Sequence, residues 1–212
     1  MLLKTERLVI RPIVESDLDD LFEYHSDANT VRYIPWEVRT REDVAEWFER
    51  SLGWTGLERE GDNLVLGFAD RDTNKIIGQL NAHLVSLRNS HLEFGYVLNP
   101  KFAGRGLAAE AVTAFINYLF SDLGFRRLVA VIDVRNRNSI RLVEKLGFGA
   151  ARLCEPFVGN VKGAGRLKNF FTTTVRPSNY FAYLKGHEQF DFPGSRRLVQ
   201  TAPYVPDILH MH

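Results

Sequence analysis

Tyr96-Val-Leu-Asn-Pro-Lys-Phe-Ala-Gly-Arg-Gly-Leu-Ala-Ala-Glu110 is the stretch that decides the reading of this chain. A strand pattern ends at Asn99-Pro100, a loop follows, and Gly104-Arg-Gly106 opens a long apolar helix. The first N–H groups of a helix have no partner inside it, and the positive end of its dipole lies there, so such a start favours a phosphate. Glycine lets the main chain approach a ligand with no Cβ in the way. A tight strand-to-helix turn without ligand has the same spacing, so the turn alone leaves both readings open.

Downstream of the turn, Gly106 to Leu123 carries Ala108, Ala111, Val112, Phe115, Ile116 and Leu119 at helical spacing. Leu128 to Val134 is an almost wholly apolar, β-branched run that predicts a strand buried on both faces. Asn138 to Leu146 predicts a short helix closed by Gly147 as a left-handed cap. Upstream, Leu8 to Ile10 predicts a first strand. Ser16 with Asp19, and Thr40 with Asp43, have the spacing of helix-start capping boxes. Leu64 to Phe68, the polar turn Asp70 to Lys75, and Ile76 to Leu84 predict an antiparallel hairpin, and His91 to Leu98 a third strand beside it. An antiparallel meander followed by a βαβ unit implies an α/β domain with a mixed, largely antiparallel sheet. Asn169 to Val175 and Tyr180 to Leu184 predict further strands, Gly159 to Gly165 a glycine-rich loop, and 186–212 a C-terminal extension beyond a domain of residues 1–185.

Composition narrows the function classes. The 212 residues carry 27 Lys plus Arg against 26 Asp plus Glu, a net charge of +1, which lacks the basic surplus of a dedicated nucleic-acid binder. One cysteine, Cys154, excludes an internal disulfide framework and a cysteine zinc cage. The six histidines have no metal-ligand spacing, so no metal is expected. No apolar run reaches the roughly 20 residues of a membrane span, and the N-terminus lacks a signal-peptide pattern, so no membrane partner and a cytoplasmic location are the expectations. Gly104 to Ala109 fits a dinucleotide fingerprint in letters, but it sits mid-chain and several residues past its strand, where that fingerprint does not belong. No Gly-Lys-Ser/Thr triplet is present, which removes a P-loop.

From Thr5 to about Phe148 the chain resembles the GCN5-related N-acetyltransferase superfamily, in particular its ribosomal-protein N-terminal acetyltransferase branch. Thr5-Glu-Arg-Leu-Val-Ile-Arg-Pro12 with Ser16-Asp17 is similar to the branch's opening strand and helix. Leu92-Glu-Phe-Gly-Tyr-Val-Leu-Asn-Pro100 is similar to its fourth strand, and Ala103-Gly-Arg-Gly-Leu-Ala108 to its pyrophosphate loop. Asp133-Val-Arg-Asn136, Ser139 and Glu144-Lys-Leu-Gly-Phe148 are similar to the block that follows. Two departures stand out. Ala103 occupies the place of a usual Gln or Arg, and Val143 that of a tyrosine that many members use as a general acid.

The resemblance implies a splayed pair of parallel strands between flanking helices, and transfer of an acetyl group from acetyl-CoA to a primary amine in one ternary complex. The acceptor would be a protein N-terminal α-amine or a small-molecule amine, and a homodimer is possible. Ala103, Gly104, Arg105, Gly106, Leu107 and Ala108 would hold the CoA diphosphate. Val97 or Leu98 would donate to the thioester carbonyl, and Asn136 and Ser139 would line the cofactor arm. Glu93 would take the amine proton and Ser139 could return one to the departing thiolate. Each has a plainer alternative: an outward strand residue for Glu93, a helix cap for Ser139, a helix-start residue for Asn136, a solvated loop side chain for Arg105. Trp36, Trp47 and Trp54 are core residues or the lining of an acceptor pocket. A silent acyl-CoA sensor is the alternative function, and an NAD(P)-dependent enzyme a weaker one.

Overall fold

A computed structural model describes residues 2–149, 152–154 and 170–186. Among the described residues, eight strands form one sheet: β1 (Leu3–Lys4), β2 (Leu8–Arg11), β3 (Asn63–Asp70), β4 (Ile76–Ser86), β5 (His91–Leu98), β6 (Arg127–Asp133), β7 (Arg152–Cys154) and β8 (Phe170–Val175). They lie in the order β1-β2-β3-β4-β5-β6-β8-β7. Every neighbouring pair is antiparallel except β5 and β6, which run parallel. The expected mixed, largely antiparallel sheet is present.

Side-chain alternation along the strands divides the interior into two layers. Leu64, Leu66, Phe68, Leu80, Ala82, Leu92, Phe94, Leu128 and Ala130 point to one face. There they pack against α3 (Leu107–Asn117), which runs on into a π-helical turn at Tyr118–Asp122, and against α4 (Arg137–Glu144) and α5 (Pro177–Gly186). Val97 and Ala69 point to the other face, against Leu21 and Tyr24 of α1 (Leu18–His25) and Val44, Trp47 and Phe48 of α2 (Arg41–Ser51). The α2 start is the expected capping box: Thr40 Oγ1 accepts from Asp43 N at 3.2 Å, and Asp43 Oδ2 accepts from Thr40 N at 2.8 Å.

Four local expectations are corrected. Ser16 does not cap α1. No side chain caps that helix; Asp17, which flanks its start, instead reaches back across the 3-10 turn Glu15–Asp17 to accept from Val14 N at 2.9 Å, while Arg11 grips both its carboxylate oxygens at 2.6 and 2.9 Å. The fourth helix begins at Arg137 with Asn136 as its cap, one residue before Asn138. Tyr180 to Leu184 is helical, within α5: Pro177 opens that helix, where its missing N–H costs nothing, and Tyr180 is fully buried against Phe120. The β6 strand is not closed on both faces, since Val131 is 41% exposed. Gly147, with φ of +76°, is the left-handed residue expected after α4. The Gly159 to Gly165 loop and the extension from 187 onward lie outside the described residues.

The β5–β6 pairing is short. Register partners are His91↔Arg127, Leu92↔Leu128 and Glu93↔Val129, and none follows. Beyond Glu93, β5 stays with β4 as far as Leu98, while β6 stays with β8 as far as Asp133. A wedge opens between them, and α3 rises from the end of β5 beside it.

Phe115, fully buried on α3, fills the layer beneath this wedge. Phe115→Ala is expected to lower the unfolding free energy by about 3–5 kcal/mol, read as a shift in the urea midpoint at unchanged slope.

Candidate active site

The glycine turn comes first because the helix start depends on it. Asn99, 1% exposed, caps the 3-10 turn Pro100–Phe102 by accepting from Lys101 N at 3.1 Å. Ala103 N donates to Pro100 O at 3.0 Å, so that amide is used up locally. Gly104 and Gly106 both have φ of +76°, which an L side chain adopts only with strain. The effect is to turn the amides of residues 104–109 outward. None of the six has an acceptor among the described residues, and residues 103–106 are exposed.

Long-range contacts hold this turn still. Glu110, 4% exposed, accepts from Thr5 Oγ1, from Arg7 N at 2.8 Å and from Arg7 Nε at 2.7 Å, and pairs with Arg7 Nη2 at 2.7 Å. Arg7 Nη1 in turn donates to Arg105 O at 2.9 Å. The guanidinium therefore ties the first strands to α3 and holds the turn from behind. On the other side Glu23 binds Lys75 and Lys101, each at 2.7 Å, and accepts from Asn99 Nδ2 at 3.2 Å. Lys101 and Lys75 lower the Glu23 pKa to about 2.

The parting strands supply the next group. Asn99 N donates to Ile77 O on β4 at 2.8 Å. N–H directions alternate along an antiparallel ladder, so Val97 N points to β4, while Leu98 N and Tyr96 N point into the wedge. Of Val97 and Leu98, then, it is Leu98 whose amide faces the gap. One donor so placed against developing negative charge is worth about 2.7–4 kcal/mol. Across the gap, Asn136 Oδ1 caps α4 by accepting from Ser139 N at 3.2 Å. Ser139 is not the cap. Its Oγ lies 3.0 Å from Tyr96 Oη, so a hydroxyl pair bridges β5 and α4. Burial pushes the Tyr96 phenol up, and Ser139 partly offsets that. Val143 is core, 2% exposed.

Glu93 stands where the strands separate, on the α1–α2 face, directly across from His83 on β4. The residue keeps solvent access, yet the enclosure of its carboxyl raises the pKa above the ordinary carboxylate value, and the nearby His83 opposes that rise. His83 Nδ1 lies 3.2 Å from Asn63 Oδ1 on β3.

Behind Val97 the same face is polar. His25, fully buried, has Nε2 2.7 Å from Gln79 Oε1, and Arg39 Nη1 lies 2.9 Å from its Nδ1. A guanidinium only donates, so Nδ1 accepts and Nε2 carries the hydrogen. Trp47 is core at 6% exposure, and Trp36 and Trp54 are half-buried against it. Trp54 also lines a separate hollow of about 360 Å³ with Glu58, Arg59 and Asn63, away from the glycine turn.

Residues 7–149 match the Acetyltransferase (GNAT) domain family. The [Ribosomal protein uS5]-alanine N-acetyltransferase of Escherichia coli is 31% identical over 150 residues, 69% of this chain and 77% of that protein. An uncharacterized N-acetyltransferase of Bacillus subtilis, YoaA, is 29% identical over 69% of this chain and 82% of its own length. Among solved structures, a GNAT-family acetyltransferase from Bacillus anthracis superposes with a TM-score of 0.71 at 25% identity, covering 83% of this chain and 98% of the other. A Vibrio cholerae spermidine N-acetyltransferase in complex with CoA and spermine shares the fold, with a TM-score of 0.67 at 19% identity over 82% and 98% of the two chains. This chain belongs to the GNAT acetyltransferase family, whose members are acyl-CoA-dependent enzymes.

Burial holds His25 neutral in the folded chain and lowers its pKa from 6.5 to about 4, with Gln79 opposing and Arg39 assisting. On acidification the unfolded chain therefore takes up the proton first, and the stability present above pH 6.5 is lost as the pH falls toward 4. Urea unfolding at pH 7.5 and 4.5 is expected to show about 2–3 kcal/mol more loss for the natural chain than for His25→Gln.

Proposed function

We propose that this chain transfers the acetyl group of acetyl-CoA to a primary amine, a protein N-terminal α-amine or a small-molecule amine, within one ternary complex. The observation that carries the reading is the run of six outward amides at 104–109 beside the parting of β5 and β6. In this reading Gly104, Arg105, Gly106, Leu107 and Ala108 hold the diphosphate with their N–H groups. Arg7 and Glu110 keep those groups aimed, and Asn136 offers its side-chain amide to the pantetheine arm. Ala103, with its N–H committed to Pro100, contributes shape but no donor.

Acetyl-CoA supplies a thioester carbonyl, which is open to attack by an uncharged amine. Leu98 N–H faces the gap in which that carbonyl oxygen would gain charge. Glu93 receives the amine proton, and the enclosure that raises its pKa above the ordinary carboxylate value makes it a stronger base for that task. An α-amine, with pKa about 7.7–8.0, costs about 1 kcal/mol to neutralise at pH 7, whereas a lysine amine costs about 4–5 kcal/mol. A single carboxylate suffices for the first. The Tyr96–Ser139 hydroxyl pair stands where a proton can be returned to the thiolate, a role that Val143 cannot fill.

Incubation with acetyl-CoA and a panel of amines, followed by free-thiol release, is expected to show turnover. Glu93→Gln is expected to lower kcat by about 10²-fold or more with CoA affinity retained. Absence of CoA binding by calorimetry overturns the reading; CoA binding without turnover of any amine leaves a sensor in its place.

A further inference from the structure

Arg7, Arg11 and Arg135 each close on a carboxylate, of Glu110, Asp17 and Asp133 respectively. Arg39 does not. Its one recorded side-chain partner is neutral His25, and no carboxylate lies within ion-pair distance of it among the described residues. The guanidinium is half-buried and stacked on two indoles, its Cζ 4.8 Å from the Trp36 ring centre and 5.5 Å from that of Trp47. The acid it feels most is Asp43, whose carboxylate is committed to capping α2 at Thr40, and Arg50 adds a second positive charge to the neighbourhood. Beside Arg39, the Trp36 indole N–H is out of reach of solvent and has no acceptor among the described residues. Arg39 therefore presents a charged fork next to an unused donor.

The position of this pair gives it meaning. His25 anchors Arg39 to Gln79, the register partner of Val97 on β5. Three residues before Trp36, Tyr33 lies under the Arg135 guanidinium at 5.8 Å, so the α1–α2 connection reaches the segment that follows β6. Glu93, Val97, Val129 and Val131 alternate onto this face of the sheet, and Val131 is exposed there. The α1–α2 connection thus lies over the face of the sheet on which Glu93 stands.

We infer that Arg39, with the Trp36 N–H, is an anion-recognition site that selects a primary amine bearing a carboxylate. The inference rests on the proposed acetyl transfer and names its acceptor class. A carboxylate fits a planar fork through two parallel hydrogen bonds, and Arg39, held through Nη1 by His25 and flanked by two indole rings, keeps further N–H groups for it. Burial lowers the Arg39 pKa only to about 10, so the group stays charged at neutral pH. A polyamine brings only positive charge and meets Arg39 and Arg50 as like charges. The carboxylate can belong to a free amino acid or to an acidic side chain near a peptide N-terminus, and matched acceptors separate the two.

The full chain is assayed with acetyl-CoA against peptides that differ only as Asp or Asn at the second position, against amino acids and their amides, and against spermidine. The natural chain is expected to favour the acidic member of one series by tenfold or more in kcat/KM, chiefly through KM, with spermidine below both. The series that shows the preference tells peptide from free amino acid. In Arg39→Gln the acid-to-amide ratio is expected to fall toward one, and in Trp36→Phe to fall part of the way. CoA calorimetry on each variant checks that the fold is retained. Equal use of acid and amide by the natural chain, spermidine as the best acceptor, or an unchanged ratio in Arg39→Gln overturns the site. If no amine is turned over, the proposed function fails, and calorimetry with the same Asp and Asn peptides judges the site alone: Asp-selective binding lost in Arg39→Gln upholds it, and any other result overturns it.

Discussion

Everything that this fold can do follows from how early β5 and β6 let go of each other. Three registered pairs hold them, and each then continues with its other neighbour, β4 or β8. A fully paired sheet would have directed the Leu98 and Tyr96 amides into a ladder bond. Separation leaves them facing a gap instead, which opens just past Glu93, the last registered residue of β5, and runs beside the Tyr96–Ser139 hydroxyls. The sheet forgoes several main-chain hydrogen bonds in this region, each worth on the order of 1 kcal/mol, and the deep apolar layer under α3 offsets that loss.

The glycine turn depends on the same arrangement from the other side. Two left-handed glycines aim the amides, but glycines alone would leave the loop loose. Arg7, Glu110, Asn99 and Glu23 restrain it through contacts among the β1–β2, β3–β4 and β5–α3 connections, α1 and α3, so that the outward N–H groups are held in place. Preorganised donors of this kind need little rearrangement on binding.

Local patterning made much of this visible in the residues. The β3–β4 hairpin, β5, α3, the Thr40 box and the Gly147 cap each arise from neighbours within a few positions, and the residue pattern alone specifies them. Tyr180 read as strand because aromatic residues favour strands. Its burial against Phe120 and α3, some sixty residues away, decided otherwise. Val131 read as buried because β-branched runs usually are, yet the widening gap left it open. Arg7 with Glu110, Tyr96 with Ser139, and Arg39 with His25 were not legible as pairs, because nothing in spacing links side chains that only the folded sheet brings together.

The Arg7 brace also sets an order of synthesis. The residue that steadies the glycine turn precedes Arg105, whose carbonyl it holds, by 98 positions. During synthesis the helix end must wait for nothing downstream to find its support, since that support has already left the ribosome. A substitution at Arg7 therefore reaches a glycine turn that, on a linear map, looks far away.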